Sequence, residues 1–136
     1  MKLFKKNIRR VFIIVRRPSD MSYLLLISSK KHLPIGLVGG RVDDTDNKPI
    51  VTAIRELYEE TALEIADLSR FKYLGPVSNK LFYLLDITDK EVLNIRLSSE
   101  HVDFIFYKNK EKIPILIQYH SGHTCSEAFK KFMDVI

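Results

Sequence analysis

Three glutamates within five positions constrain the fold of this chain more than any other feature of its sequence. They are Glu56, Glu59 and Glu60, and on one helix they would share a sector of roughly 100°. Like charges this close repel, and each such pair costs an isolated helix about 0.2–0.5 kcal/mol. The cluster is better explained when a cation lies among the carboxylates, and Mg²⁺ favours oxygen ligands of this kind. The sequence therefore predicts a helix that holds a metal ion.

The same segment carries an apolar stripe beside the acidic one. The stripe recurs with helical spacing and consists of Ile50, Ala53, Ile54, Leu57 and Thr61. We expect a helix over residues 49–63 that packs this stripe on a sheet, with Pro49 in its first turn. The glutamates would then border the buried face and lie at the rim of a cleft.

Two further features belong to the expected site. Gly39 and Gly40 permit a tight turn that would bring the Gly39 carbonyl oxygen close to the same ion. Arg55 lies four residues before Glu59, where a charge-assisted hydrogen bond would orient that carboxylate. The pattern thus combines a glycine turn, an arginine and an acidic helix face.

Together these residues resemble the signature of the Nudix hydrolases. That signature reads Gly, five residues, Glu, seven residues, then Arg-Glu-apolar-any-Glu-Glu-any-Gly-apolar. The matching positions are Gly40, Asp46, Arg55, Glu56, Leu57, Glu59, Glu60, Ala62 and Leu63. Three departures are visible: Asp46 stands where Glu is usual, the gap before Arg55 is one residue longer, and Ala62 replaces the last glycine. The Arg-Glu and Glu-Glu pairs are kept.

Strands around two helices already indicate an α/β fold, and the resemblance implies more. It implies one domain over residues 1–136, an α/β/α sandwich with a mixed β-sheet between helices. It also implies Mg²⁺-dependent hydrolysis, with Mn²⁺ as the alternative ion, of a pyrophosphate bond in a nucleoside diphosphate linked to another moiety. Asp46 would position the helix. The implied metal ligands are Gly39, Glu56, Glu59 and Glu60, the implied catalytic residues include Arg55, Glu56 and Glu59, and the implied substrate contacts are Gly40 and Arg41.

A second stretch, 99–104, is similar to a Glu-His-x-x-Tyr/Phe segment of several Nudix subgroups. There the glutamate comes from a loop opposite the signature helix. Carried over by position, Glu100 would be a further metal ligand or the general base, and an exposed loop residue is the alternative. Whether Glu56 or Glu100 accepts the proton of the attacking water stays open.

The substrate is left open by conflicting features. The spacing of the signature is similar to the coenzyme A pyrophosphatase branch, but Val38 stands where that branch has Pro. The Glu100 stretch is instead similar to nucleoside triphosphate and dinucleoside polyphosphate hydrolases. A domain that binds a nucleotide without hydrolysing it is a third alternative, and Asp46 and Ala62 are the substitutions that favour it.

Charge is distributed unevenly along the chain, whose net charge is +5. Residues 1–41 hold ten Lys or Arg against one acid, whereas residues 43–64 hold seven acids against two bases. A basic segment beside a metal-attracting one suits a polyphosphate substrate. No platform of alternating aromatic and basic residues is evident, so we do not expect nucleic acid as a partner.

Composition restricts the setting in which the chain works. No apolar run is long enough for a membrane span, and Arg16 and Arg17 interrupt the apolar run 11–15, so we expect neither a membrane segment nor a signal peptide. The single cysteine, Cys125, fits a reducing cytoplasm. A homodimer is an open alternative. The other expected elements are strands over 8–17, 23–28, 71–77, 80–87 and 102–107, and a terminal helix opened by a capping box at Thr124–Glu127.

Overall fold

The sheet is built around one strand, β1 (Arg10–Arg17), whose five consecutive apolar residues 11–15 are each at most 1% exposed. An unbroken apolar run of this length is typical of a strand covered on both faces. The computed structural model describes residues 8–30, 35–118 and 123–136. The sequence also predicts a loop over 30–34. Residues 31–34 of that loop, and residues 1–7 of the basic segment 1–41, lie outside the described residues.

The other elements follow in chain order. The remaining strands are β2 (Ser22–Ser28), β3 (Ile35–Gly36), β4 (Val38–Arg41), β5 (Phe71–Val77), β6 (Lys80–Asp86) and β7 (His101–Tyr107). The helices are α1 (Pro49–Thr61), α2 (Asp89–Val92), α3 (Ile113–Leu116) and α4 (Thr124–Lys131). Within the described ranges, no helix is both long enough and apolar enough to cross a bilayer.

The seven strands of the described chain form one mixed sheet. The order is β3-β2-β1-β6-β5, with β4 paired to β1 and β7 paired to β2. Strands β1 and β6 run parallel, and the other pairs are antiparallel. The prediction of an α/β fold with a mixed sheet is confirmed.

Alternate residues of β1 point to opposite faces of the sheet and pack into two separate hydrophobic cores. Val11, Ile13 and Val15 pack with Ala53 and Leu57 of α1 on one face. On the other face, buried residues of β1 pack with α4, namely Phe12, Ile14, Ala128 and Phe129. Because a helix covers each face, the architecture is the α/β/α sandwich that the resemblance implied.

Both expected helix ends differ from the structure. Helix α1 ends at Thr61, two residues before the expected end, and Ala62 takes a left-handed conformation with φ 65° while its N–H bonds the Tyr58 carbonyl oxygen at 2.8 Å. The capping box at Thr124 was wrong. Thr124 is the first helical residue and His123 occupies the cap position. A cap residue needs a non-helical backbone, which Thr124 does not have. The first turn of α4 is held instead by the Ser126 hydroxyl, which donates a hydrogen bond of 2.7 Å to the Pro114 carbonyl oxygen.

Candidate active site

Strand β4 places the glycine pair directly beside the acidic face of α1. The Gly39 N–H donates a hydrogen bond of 2.8 Å to Oε1 of Glu60. The carboxylate of Glu56 lies against Gly40, where an added Cβ would be 2.5 Å from the carboxyl carbon. The expected neighbourhood of Gly39, Glu56 and Glu60 therefore exists, and Gly39 contributes its N–H to it.

Gly39 is a position that only glycine fits. Its φ is +152°, and an added Cβ would collide with the Val11 carbonyl oxygen and with the side chain of Phe12. Gly39 lies directly opposite Phe12 in the pairing of β4 with β1. The absence of a side chain thus lets β4 approach β1 while its N–H faces Glu60.

Arg55 connects the acidic residues of the site to the loop before α1. Its guanidinium bonds Asp46 Oδ2 at 2.8 Å, Glu56 Oε2 at 2.8 Å and the Arg41 carbonyl oxygen at 2.9 Å. The expected contact with Glu59 is present but longer, at 3.3 Å. The hydrogen bond with Asp46 raises the pKa of Arg55, so the guanidinium stays charged and orients several groups at once.

Asp46 is buried and fully engaged with its neighbours. It is 1% exposed and accepts hydrogen bonds of 2.8 Å from the Asp43 N–H and from the Thr52 hydroxyl. Burial alone would raise the pKa of Asp46, but the bonds from Arg55, Asp43 and Thr52 outweigh it and hold that pKa below its ordinary value. Asp46 therefore fixes Arg55 and the first turn of α1, as expected of a positioning group.

The three glutamates of α1 occupy different environments. Glu60 is 8% exposed, and none of the ion pairs of the described residues includes it. Burial raises the pKa of Glu60 to about 8. Burial also raises the pKa of Glu56, against the opposing charge of Arg55. The side chain of Glu59 is 55% exposed, so it reaches solvent beside the other two.

Glu100 lies in the loop directly before β7. Its carbonyl oxygen accepts hydrogen bonds from the Ser29 N–H at 3.0 Å and the Ser29 hydroxyl at 3.1 Å, which anchors the loop to the end of β2. After burial, the charge of Glu100 contributes to the raised pKa of both Glu56 and Glu60. The charge of Glu100 thus acts on two of the α1 carboxylates, while its role stays a prediction.

Sequence reasoning missed Thr52, which holds Asp46 from within α1. The sequence did contain a signal for this contact. Thr52 is a hydroxyl donor six residues after Asp46, in a turn of the helix that is otherwise apolar. Arg10 was counted only as part of a basic segment. The pKa of Arg10 is lowered, first by burial and then by the charge of Arg41, while Cys125 and then Glu56 act in the opposite direction.

The residues fit a hard divalent cation by their donor chemistry. Glu56, Glu59 and Glu60 offer only oxygen atoms, and a cation near Glu60 would offset the burial of a carboxylate that lacks a basic partner. Yet no group of three or more Asp, Glu, His or Cys in the described chain is already arranged to hold a metal ion. The glutamates of α1 are therefore near one another, but their oxygen atoms are not yet arranged around one ion position.

Comparisons with known proteins bear on the family and the fold of this chain. The NUDIX domain family profile matches residues 6–131. No curated protein matches the chain significantly in sequence. Among solved structures, a C. elegans Ap4A hydrolase in a binary complex aligns with a TM-score of 0.65 at 16% identity, covering 95% of this chain and 99% of that chain.

Two further structures share the fold. The NUDIX domain of Shewanella oneidensis NrtR complexed with ADP ribose aligns with a TM-score of 0.64 at 16% identity, covering 98% of this chain and 90% of that one. The E. coli dihydroneopterin triphosphate pyrophosphohydrolase aligns with a TM-score of 0.64 at 14% identity, covering 96% and 99%. Because the family profile spans nearly the whole sequence, this chain belongs to the Nudix hydrolase family.

Proposed function

We propose that this protein is a divalent-metal-dependent hydrolase that cleaves a pyrophosphate bond in a nucleoside diphosphate linked to another group. The observation that carries the proposal is Glu60, a nearly buried carboxylate with a single N–H donor from Gly39 and no ion pair among the described residues. A carboxylate in such a place is unfavourable when ionised unless a cation joins it. Family membership supports the same conclusion.

The proposed ion is Mg²⁺, with Mn²⁺ as the alternative. Glu56, Glu59, Glu60 and the carbonyl oxygen of Gly39 would hold it. When bound, the ion supplies charge neutralisation of the diphosphate and lowers the pKa of nearby water. Oε1 of Glu60 accepts the hydrogen bond from the Gly39 N–H, so the other carboxylate oxygen of Glu60 is available to such an ion.

The residues of the chain account for the rest of the reaction. The oxygen of a water forms a bond to one phosphorus while the bridging P–O bond breaks, and the leaving phosphate takes the electron pair. Glu56 or Glu100 would accept the water proton. Burial raises the pKa of Glu56, which makes its carboxylate a stronger base than an ordinary glutamate. Arg55 would keep Glu56 and Glu59 oriented. Gly40 and Arg41 would contact the substrate phosphates.

Two alternatives concern what is bound and whether it is cleaved. One is coenzyme A pyrophosphatase-like specificity, which rests on the spacing of the signature. The other is a domain that binds a nucleotide without cleaving it. Two observations favour it: Arg55 forms ion pairs with Glu56 and Glu59, and no group of three or more potential ligands among the described residues is arranged to hold a metal ion. The fold does not choose between them, since an Ap4A hydrolase and a domain complexed with ADP ribose both share it.

A substrate panel tests the proposal. The panel contains coenzyme A, NADH, ADP-ribose, nucleoside and deoxynucleoside triphosphates, and dinucleoside polyphosphates, each with Mg²⁺ and in metal-free buffer. We expect Mg²⁺-dependent cleavage of at least one member, detected by chromatography of the products. Calorimetric binding without cleavage of any member would establish the non-catalytic alternative.

Two smaller proposals accompany this function. A cytoplasmic location is supported by the use of one cysteine, Cys125, which is fully buried. A homodimer stays a proposal that light scattering on the purified protein tests.

A further inference from the structure

The apolar surface of α1 extends beyond the core onto the outside of the protein. Val51, Ile54 and Tyr58 recur with helical spacing along the outer flank of the helix. Val51 is 36% exposed and Tyr58 is 51% exposed, while Ile54 is partly buried. Adjoining apolar side chains at a surface mark a site of interaction. We call Val51, Ile54 and Tyr58 the outer stripe.

A cavity of about 450 Å³ lies beside the outer stripe. The residues that line it come from α1 and from the segment that follows the helix, namely Ile54, Arg55, Tyr58, Glu64, Ile65 and Ala66. Ile65 is 4% exposed and belongs to the hydrophobic core, so the recess reaches down to that core. The surface therefore combines a half-exposed aromatic ring with an apolar recess next to it.

The two ends of the outer stripe carry opposite charges. Lys48 directly precedes α1, Glu64 follows the helix, and both residues are exposed. Neither residue takes part in any ion pair among the described residues. An apolar centre thus lies between an uncompensated cation and an uncompensated anion.

A second copy of this chain supplies the complement of each of these features. Ile54 and Tyr58 lie two positions on either side of residue 56, and Lys48 and Glu64 lie eight positions on either side of it. Two α1 helices that pack antiparallel, with a two-fold axis at the level of residue 56, therefore bring Tyr58 of each copy onto Ile54 of the other. The same axis brings Lys48 of each copy toward Glu64 of the other. Such a symmetric contact uses the same patch on both copies and makes each pairing twice.

The outer stripe is separate from the candidate active site. With 3.6 residues per turn, Ile54 and Tyr58 lie roughly 160° around α1 from Glu56 and Glu60. A second copy on the outer stripe therefore leaves the glutamates of both copies open to a substrate.

We propose that the outer stripe is the interface of a symmetric homodimer, in which Tyr58 of each copy enters the cavity of the other between antiparallel α1 helices. Burial of the aromatic ring provides the apolar centre of the contact. The Lys48–Glu64 pairs at the rim set the direction of the helices, because a parallel arrangement would bring Lys48 toward Lys48 of the other copy.

Sedimentation velocity over a concentration series tests the apolar centre, and it requires neither metal nor nucleotide. The series compares the natural protein with Tyr58→Ser and with Tyr73→Ser. Tyr73 is the matched control, because it is 52% exposed and lies on β5. Thermal unfolding of each variant shows that it is folded.

We expect the natural protein to form a reversible dimer. Tyr58→Ser should raise the dimer Kd about tenfold or more, since truncating an aromatic side chain at the centre of an interface removes much of the binding free energy. Tyr73→Ser should leave the Kd unchanged. A natural protein that is monomeric at its highest soluble concentration, or a dimer that a folded Tyr58→Ser variant leaves unchanged, would overturn the proposal.

A charge exchange tests the direction of the helices. Lys48→Glu places a glutamate toward Glu64 of the other copy twice in each dimer, so we expect the Kd to rise about tenfold at low salt. The double variant Lys48→Glu/Glu64→Lys should recover the natural Kd. Lys72→Glu makes the same change of charge at an exposed lysine of β5 and should have no effect. A double variant that dimerises no better than Lys48→Glu would overturn the antiparallel interface.

Discussion

The Glu56 carboxylate lies against the α-carbon of Gly40, so close that a methyl group there would be 2.5 Å from its carboxyl carbon and from one of its oxygens. Strand β4 and helix α1 therefore come into contact at this point because Gly40 has no side chain. This contact explains in physical terms why a glycine stands at the start of the signature.

Gly40→Ala should impair the site while leaving the fold intact. The three atoms nearest to the added methyl group all belong to the carboxyl group of Glu56, the flexible end of a side chain that can swing away. We therefore expect a change in unfolding free energy of about 1 kcal/mol or less. The displaced carboxylate should lower Mg²⁺-dependent turnover about tenfold or more. Urea unfolding and steady-state kinetics measure the two effects.

Gly39→Ala is the matched comparison. Its methyl group would meet the Val11 backbone and Phe12, and its φ of +152° disfavours any side chain, so we expect a loss of about 2 kcal/mol or more in unfolding free energy. Equal stability losses in the two variants would contradict the assignment of Gly40 to Glu56.

The buried hydroxyl of Thr52 should contribute to stability through Asp46. Thr52→Val removes a 2.8 Å bond to a carboxylate that is 1% exposed, so we expect the free energy of unfolding to fall by about 1–3 kcal/mol. Thr45→Val is the control, because the exposed Thr45 hydroxyl makes only a 3.4 Å contact with Asp43. Chemical denaturation of both variants checks the difference, and similar losses would show that the Thr52 bond is not special.

The end of α1 is strained at Ala62. Left-handed backbone costs an alanine about 1–2 kcal/mol, and glycine removes this cost while adding some flexibility to the unfolded chain. Ala62→Gly should therefore raise the free energy of unfolding by about 0.5–1 kcal/mol. Ala66→Gly, at an exposed alanine that is not among the positive-φ residues, should lower it slightly. A destabilised Ala62→Gly variant would contradict this account of the helix end.

Glu60 should make stability depend on pH. Its pKa is about 8 in the folded protein and 4.5 ordinarily, so the stability it contributes is fully present below pH 4.5 and is lost as the pH rises to about 8. Glu60→Gln keeps an oxygen for the Gly39 N–H but cannot ionise. Above pH 8 the variant should be more stable than the natural protein by an amount on the order of a few kcal/mol, and the two should converge in acid.

The same experiment reports on the metal. Added Mg²⁺ at the alkaline end should restore stability to the natural protein and have little effect on Glu60→Gln. Thermal melts across the pH range provide the comparison. Parallel curves for the two proteins, with and without Mg²⁺, would show that Glu60 neither titrates in this window nor binds the ion.

Periodicity predicted the long elements, because burial leaves a pattern in the sequence. The apolar run 11–15 indicated the central strand, and the stripe around Leu57 indicated α1. Strand β4 could not be found this way, because two of its four residues are glycines with no strand preference of their own. It is a strand only because β1 pairs with it.

The site was predictable where its residues share one helix. Helical spacing brought Glu56, Glu59 and Glu60 together, and the local rule for charges four residues apart predicted the Arg55–Glu59 contact. The same rule could not predict the shorter Arg55–Asp46 bond, which depends on how the loop between them folds back.

The turnover of Glu59→Gln and Glu60→Gln, measured against Glu64→Gln on the best substrate of the panel, tests the account most directly. Glu64 is exposed and forms no ion pair within the described chain, so its substitution removes a nearby acidic charge without touching the site. We predict that each of the first two variants loses Mg²⁺-dependent kcat by about a hundredfold or more while remaining folded, and that Glu64→Gln stays close to the natural protein. Near-normal Mg²⁺-dependent turnover in either Glu59→Gln or Glu60→Gln would contradict it.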